Sequence, residues 1–289
     1  MNHLHAFGMD TITLAGPLEA KLQAIAEAGF GQVMLNARDL TSHPGGADAA
    51  AAALRASGLR ATGFQVLRDF EGLSGHLHAY KVDIAKQMLR MCEAVGSRVL
   101  LACSSTSAHA TQDMDAIAKD LRKLAMLAQP LGIRIAYEGL SWGRTINEYT
   151  TAWDVVCRAD SPNLGVCLDS FHILAARTPL DALDDIDADR IFLVQLSDFL
   201  WQETKTFEER MATARTYRVF PGEGVHEEQL TGMLLALERI GYRGDYSFEV
   251  FNDDYQQMPP AFVAERARRS AVWLHDDVLH RPGALPIDG

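Results

Sequence analysis

The stretch Leu164-Gly165-Val166-Cys167-Leu168-Asp169 runs through apolar residues and ends in a single carboxylate. Three other short apolar runs also end in one acidic or amide side chain: residues 134–138 in Glu138, residues 191–195 in Gln195, and residues 246–249 in Glu249. A carboxylate or carboxamide in an apolar strand lowers stability unless something pairs with it. Because four separate runs share this feature, we expect the four side chains to converge on one partner, and a divalent cation is the simplest.

Outward from these runs, the chain alternates short strand-like segments with longer helix-like ones. Residues 78–95 illustrate the helical pattern, since apolar side chains recur there every three or four positions and Gly96 follows. The predicted strands are residues 4–9, 32–36, 60–67, 98–103, 133–138, 164–169, 190–196 and 245–251. The predicted helices run from Pro17 to Gly29, over residues 47–57, 78–95, 114–131, 147–159, 179–185 and 226–240, and onward from Pro260.

Eight strand-then-helix units in 289 residues predict an α/β fold, a single (β/α)8 TIM barrel over residues 1–281 with a tail over 282–289. Strands that alternate with helices form parallel sheets through right-handed crossovers. An open doubly wound sheet is the alternative, but no Gly-x-Gly-x-x-Gly follows the first strand. Active sites of such barrels lie at the carboxyl ends of the strands. The four polar side chains therefore fall on one arc, on predicted strands five to eight.

Composition narrows the possible partners. The formal charge of −11 and the absence of a basic stripe argue against nucleic-acid binding. No run of about 18 apolar residues occurs, so we expect no membrane span. We also expect a cytoplasmic protein that can form a homo-oligomer. The four cysteines form no Cys-x-x-Cys pair, and we expect all of them to be buried apolar side chains.

The predicted metal ligands are Glu138, Asp169, Gln195 and Glu249. Three carboxylates and an amide oxygen suit hard cations. We therefore expect one divalent ion, Mg²⁺ or Mn²⁺, with Co²⁺ or Zn²⁺ also able to bind.

Several motifs resemble the xylose-isomerase-like superfamily of sugar isomerases and epimerases. They are Tyr137-Glu138-Gly139, Asp169-Ser170-Phe171-His172, Pro221-Gly222-Glu223-Gly224 and Ser247-Phe248-Glu249. Within that superfamily, residues 64–72, 141–144 and 218–224 resemble the bacterial 3-dehydroshikimate dehydratases of quinate and shikimate catabolism. The resemblance implies a metal-dependent loss of water from 3-dehydroshikimate that yields protocatechuate, and it places the family's metal ligands on the same four residues.

The implied reaction suggests further roles. His172 is the leading candidate for the base, with Glu138 and Glu249 as alternative acid/base groups. Arg68 and Arg218 are expected to hold the carboxylate of a hydroxy-ketone substrate, because guanidinium binds carboxylate through two parallel hydrogen bonds. Ser104 and Trp142 are expected to contact the substrate ring. The alternative function is a sugar or hydroxypyruvate-type isomerase or epimerase that works through a metal-bound enediolate.

Overall fold

The computed structural model describes residues 4–279, so the predicted tail over residues 282–289 lies outside the described residues. In the described part, the strands are β1 (Phe7–Asp10), β2 (Gln32–Asn36), β3 (Arg60–Arg68), β4 (Val99–Cys103), β5 (Arg134–Glu138), β6 (Leu164–Asp169), β7 (Ile191–Leu196), β8 (Asp198–Phe199), β9 (Arg218–Val219) and β10 (Tyr246–Phe248). The helices there are α1 (Leu18–Glu27), α2 (Ala37–Thr41), α3 (Gly46–Ser57), α4 (Gly75–Ala94), α5 (Met114–Ala128), α6 (Tyr149–Ala159), α7 (Ser170–Ala176), α8 (Phe207–Thr216), α9 (Glu227–Arg239) and α10 (Pro260–Trp273).

Eight of the strands close into a barrel in the order β1-β10-β7-β6-β5-β4-β3-β2, and neighbouring strands are parallel. The predicted (β/α)8 barrel is confirmed. The carboxyl ends of β5, β6, β7 and β10 are adjacent, as the arc of polar side chains requires. Asp169 and Gln195 occupy paired positions on β6 and β7.

Alternate residues of the strands enter two different apolar clusters. Leu101, Ala136 and Cys167 belong to a small cluster made almost entirely of strand residues, which fills the barrel interior. Their neighbours Leu100, Ile135 and Val166 pack outward against the helices in the large core. Because both faces are covered, β4, β6 and β7 are buried along their whole length.

Local signals explain the helix boundaries. Asp113 caps α5 by accepting hydrogen bonds from the backbone of Asp115 and Ala116. After a short 3-10 turn, Gly132 ends that segment in the left-handed conformation, with φ of 64°. None of the helices in residues 4–279 is long and apolar enough to cross a membrane.

The region after β6 differs from the prediction. The helix expected near residues 179–185 is only the 3-10 turn Asp181–Asp185, and the α-helix of this unit is α7, which begins directly after Asp169. Asp169 itself caps α7, because its Oδ1 accepts a hydrogen bond from the Phe171 backbone. The prediction was wrong because the helix is short and buried at six of its seven positions, so it shows no amphipathic period.

The long connection after β7 is also structured. Residues 198–219, here named the cap, contain β8, α8 and β9, and β8 pairs with β9 in antiparallel fashion. Thr206 and Glu209 form a capping box at the start of α8. The cap returns the chain to the barrel mouth at Arg218.

Candidate active site

A cavity of about 340 Å³ lies at the carboxyl ends of the barrel strands, between those ends and the cap. Its wall includes seven of the predicted site residues: Arg68, Ser104, Glu138, Trp142, His172, Arg218 and Glu249. The cap contributes Phe207, Met211 and Arg215 to the same wall. Asp169 and Gln195 do not line the cavity, and both are buried.

Glu138 is the last residue of β5 and is buried. Its Oε2 accepts a hydrogen bond from the Cys103 thiol at 2.8 Å, whereas its Oε1 has no hydrogen-bond partner among the described residues. Burial raises the pKa of Glu138 well above its usual range, and repulsion from Asp169 and Glu249 raises it further. A buried carboxylate oxygen without a hydrogen-bond partner costs free energy, and a bound cation would offset that cost.

Arg218 lies between two of the other carboxylates. Its Nη1 donates to Asp169 Oδ2 at 2.8 Å and to Glu249 Oε2 at 3.2 Å, and its Nε donates to the Ala214 carbonyl at 2.9 Å. The guanidinium carbon lies 4.5 Å from the centre of the Phe171 ring. Burial raises the pKa of Glu249 to about 7, although the Arg218 charge opposes this rise. The site thus concentrates negative charge that a single arginine only partly balances.

His172 lies in the first turn of α7 and faces the carboxylates through one ring nitrogen. Its Nε2 is 3.6 Å from Asp169 Oδ2 and 3.8 Å from Glu138 Oε1. Its Nδ1 accepts a hydrogen bond from the Ser141 backbone N–H at 3.0 Å, and Ser141 Oγ is also 3.0 Å from Nδ1. Burial lowers the pKa of His172 to about 3, so the ring is neutral at physiological pH.

The donor atoms fit a divalent cation. Ligand atoms of Glu138, Asp169 and His172 all lie within 4.8 Å of one another, so these residues form a possible metal site. The compact group contains His172, which the sequence suggested as a base, and does not include Glu249. Arg218 links Glu249 to Asp169, and Gln195 lies beside Asp169 on the neighbouring strand.

The remaining predicted residues occupy distinct positions around the mouth. Ser104 Oγ accepts a hydrogen bond from the Leu140 backbone at 2.9 Å, which ties the β4 and β5 loops together. The Trp142 ring meets the edge of His172 with 4.9 Å between centroids. Of the cysteines, Cys157 is exposed, contrary to the prediction, because it lies on the outer face of α6.

Sequence reasoning missed a second layer of polar residues below the ligands. Asp10 ends β1, and it accepts hydrogen bonds from the side chains of Gln65 and Gln195. The same signal that identified the four strand ends was present here, since Phe7-Gly8-Met9-Asp10 is also a short run that ends in a carboxylate. Ser141, which orients His172, carries no comparable signal in the sequence.

Comparisons with known proteins agree with the barrel fold. A 3-dehydroshikimate dehydratase from Pseudomonas putida is 36% identical over 271 residues, which are 94% of this chain and 42% of that protein. The structure of a xylose isomerase-like TIM barrel/4-hydroxyphenylpyruvate dioxygenase fusion protein is 35% identical, with a TM-score of 0.89 over 96% of this chain and 44% of that chain. The chain therefore spans less than half the length of these two relatives.

A structure of the IolI protein with a bound zinc atom shares the fold, with a TM-score of 0.80 at 21% identity over 94% of this chain and 99% of that chain. The family model described as a xylose isomerase-like TIM barrel matches residues 22–276. Because that match covers most of the barrel and all four polar strand ends, the chain belongs to the xylose isomerase-like TIM barrel family.

Proposed function

We propose that this protein is a metal-dependent 3-dehydroshikimate dehydratase, a hydro-lyase that forms protocatechuate. The observation that carries the proposal is the 36% identity to the Pseudomonas putida dehydratase across 94% of this chain. The cavity of about 340 Å³ has room for one six-membered ring with its substituents, and it presents both acidic and basic groups.

The proposed metal ligands are Glu138, Asp169, Gln195 and Glu249, with His172 beside them. Oxygen donors favour Mg²⁺ or Mn²⁺, while Co²⁺ and Zn²⁺ also fit the set, and the zinc-bound structure of the IolI protein, which shares this fold, supports the proposal of a bound metal. A divalent cation held there would stabilise the negative charge that develops on the ketone oxygen when the α proton is lost.

His172 is the proposed base, and its action at Nε2 requires a change from the tautomer that the Ser141 backbone favours. In the structure, Nδ1 accepts the Ser141 backbone N–H, so the neutral ring carries its hydrogen on Nε2. Base action at Nε2 uses the other tautomer, in which Nδ1–H donates to Ser141 Oγ at 3.0 Å. Once protonated, Nε2 can deliver that proton to the departing hydroxyl. Glu138 and Glu249 are the alternative acid/base groups.

Arg68 is the better placed of the two predicted arginines to hold the substrate carboxylate. It lines the cavity at the end of β3 and is exposed. Arg218 also lines the cavity, but its Nε and Nη1 bind a carbonyl and the two carboxylates. We therefore assign binding of the substrate carboxylate mainly to Arg68. Arg218 shares in this binding, and its charge also offsets those of Asp169 and Glu249.

The test is a direct assay. The metal-free chain, reloaded with Mg²⁺ or Mn²⁺, is mixed with 3-dehydroshikimate, and the aromatic product is followed by its ultraviolet absorbance. Formation of protocatechuate only in the metal-loaded sample is the expected result. A metal-loaded protein that forms none, but interconverts a keto-sugar or an inosose, would instead establish the isomerase alternative.

A further inference from the structure

A buried carboxylate below the proposed metal ligands has no role in the proposed dehydration. Asp10 is fully buried at the end of β1, and three side chains from three other barrel strands donate to it. Its Oδ2 accepts from Gln65 Nε2 at 2.9 Å and from Gln195 Nε2 at 2.8 Å, and its Oδ1 accepts from Ser247 Oγ. These donors come from β3, β7 and β10, so hydrogen bonds to one carboxylate connect β1 with three other strands of the barrel.

The contact with Gln195 decides how its amide is oriented. A carboxylate oxygen only accepts hydrogen bonds, so the amide must turn its NH₂ group toward Asp10. The opposite atom, Gln195 Oε1, then lies toward β6, where the Cys167 thiol donates to it at 3.4 Å. Without such a constraint a glutamine amide can present either end, and only the oxygen end can bind a metal.

The same orientation is available when Asp10 is protonated on Oδ1. If Asp10 holds a proton on Oδ1, that hydrogen can be donated to Ser247 Oγ, while Oδ2 continues to accept from both amides.

We propose that Asp10 is a positioning residue that fixes the Gln195 carboxamide with its oxygen toward β6, the strand that ends in Asp169, and so makes Gln195 an oxygen ligand for a hard divalent cation. The inference rests on the proposed function, because it requires that Gln195 binds the metal. Residues that orient metal ligands through hydrogen bonds commonly change metal affinity by about 10- to 100-fold when removed.

The experiment measures the Mn²⁺ affinity of the metal-stripped protein by electron paramagnetic resonance or calorimetry. Asp10→Ala is expected to weaken Mn²⁺ binding by about 10- to 100-fold. Asp10→Asn is the matched control, since its carbonyl oxygen can accept from both amides while its NH₂ donates to Ser247; it should stay within about threefold of wild type. Equal affinity in wild type and Asp10→Ala would overturn the inference.

A double-mutant cycle separates positioning from a general structural role. In a Gln195→Ala background, Asp10→Ala should weaken Mn²⁺ binding no further, because no amide is left to orient. If Asp10→Ala weakens binding equally in both backgrounds, the inference fails.

A second pair of variants applies if Asp10→Ala does not fold. Gln195→Glu places a carboxylate against Asp10, so Mn²⁺ affinity should fall, and adding Asp10→Asn should recover at least part of it. No recovery would overturn the inference. These measurements are independent of the reaction: a wild-type protein with this Mn²⁺ behaviour that makes no protocatechuate would disprove the proposed function and leave the role of Asp10 standing.

Discussion

The strand ends of β5, β6, β7 and β10 and the cap face each other across one cavity, but they are built differently. The acidic groups at the strand ends are buried, with Asp169 at 2% and Glu249 at 5% exposure. The cap instead exposes large apolar side chains, among them Leu200 at 56% and Phe207 at 48%. The barrel thus buries its acidic groups at a cost in stability, whereas the cap supplies a partly exposed apolar wall. Arg218 joins the two regions, since it leaves the cap and ends among the carboxylates.

Removal of one strand-end carboxylate should give the largest effect. Glu138→Gln keeps the shape but removes a charged ligand, so we expect Mn²⁺ affinity to fall by more than the 10- to 100-fold typical of ligand-orienting residues, and turnover to fall by at least about 1000-fold. Calorimetry and the protocatechuate assay measure the two effects. Glu93→Gln, an exposed glutamate on α4, is the control and should change neither. Full Mn²⁺ affinity in Glu138→Gln would remove Glu138 from the metal site.

Loss of the cationic link between cap and barrel should come next. Arg218→Ala leaves Asp169 and Glu249 buried without their counter-charge, so the metal-free protein should lose about 3–5 kcal/mol of unfolding free energy at pH 8. Urea unfolding in the presence of a chelator measures this loss. Arg239→Ala breaks an exposed pair with Asp184 and should cost under about 1 kcal/mol. Similar losses in both variants would show that Arg218 does not compensate the carboxylates.

Glu71 is a buried carboxyl group away from the four polar strand ends. It tests whether burial alone raises the pKa of a carboxyl group as far as that of Glu249. Burial raises the pKa of Glu71 to about 7, close to that of Glu249, but Glu71 has no arginine partner among the described contacts. Its Oε1 accepts from the Ser105 backbone at 2.5 Å and from the Tyr137 hydroxyl at 2.9 Å, while Oε2 has no partner within residues 4–279.

The direction of the Glu71 effect follows from its protonation. Because the folded-state pKa lies above the ordinary value, the folded chain holds this proton more tightly, and the resulting stability is lost as pH rises from about 4.5 through about 7. Glu71→Gln should therefore gain stability relative to wild type over that range, by at most about 3 kcal/mol. Urea unfolding of both chains at pH 5 and pH 8 in a chelator gives the difference. A difference that does not change with pH would mean that Glu71 keeps an ordinary pKa.

The contrast between barrel and cap also explains what the sequence could predict. Strands such as β2 and β6 follow the predicted limits, because an apolar run between turn residues marks a fully buried strand. Once the barrel is predicted, the strand-end positions of Glu138 and Asp169 follow from topology alone. The cap has no such regularity, because α8 has little apolar periodicity. Its Ala214 packs in one cluster with Phe171, and the Arg218 carbonyl of β9 accepts a hydrogen bond from Asn252, so the contacts of the cap involve residues distant in sequence. For the same reason the partners of Arg218 and the Ser141–His172 contact were not predictable, since loop geometry determines both.

The smallest effect is expected from the cap wall, where a single apolar contact is at stake. Phe207 lines the cavity and is about half exposed, so Phe207→Ala should cost about 1 kcal/mol of substrate binding, seen as a roughly fivefold rise in KM, with Mn²⁺ affinity unchanged. Tyr217→Ala is the matched control, because Tyr217 is equally exposed on the cap but lines a separate depression with Trp201. If Tyr217→Ala raises KM as much, the effect on KM comes from the cap as a whole and not from contact between Phe207 and the substrate. If Phe207→Ala weakens Mn²⁺ binding, the cap helps to hold the carboxylates, and the division between an apolar wall and a buried charge cluster does not apply to this barrel.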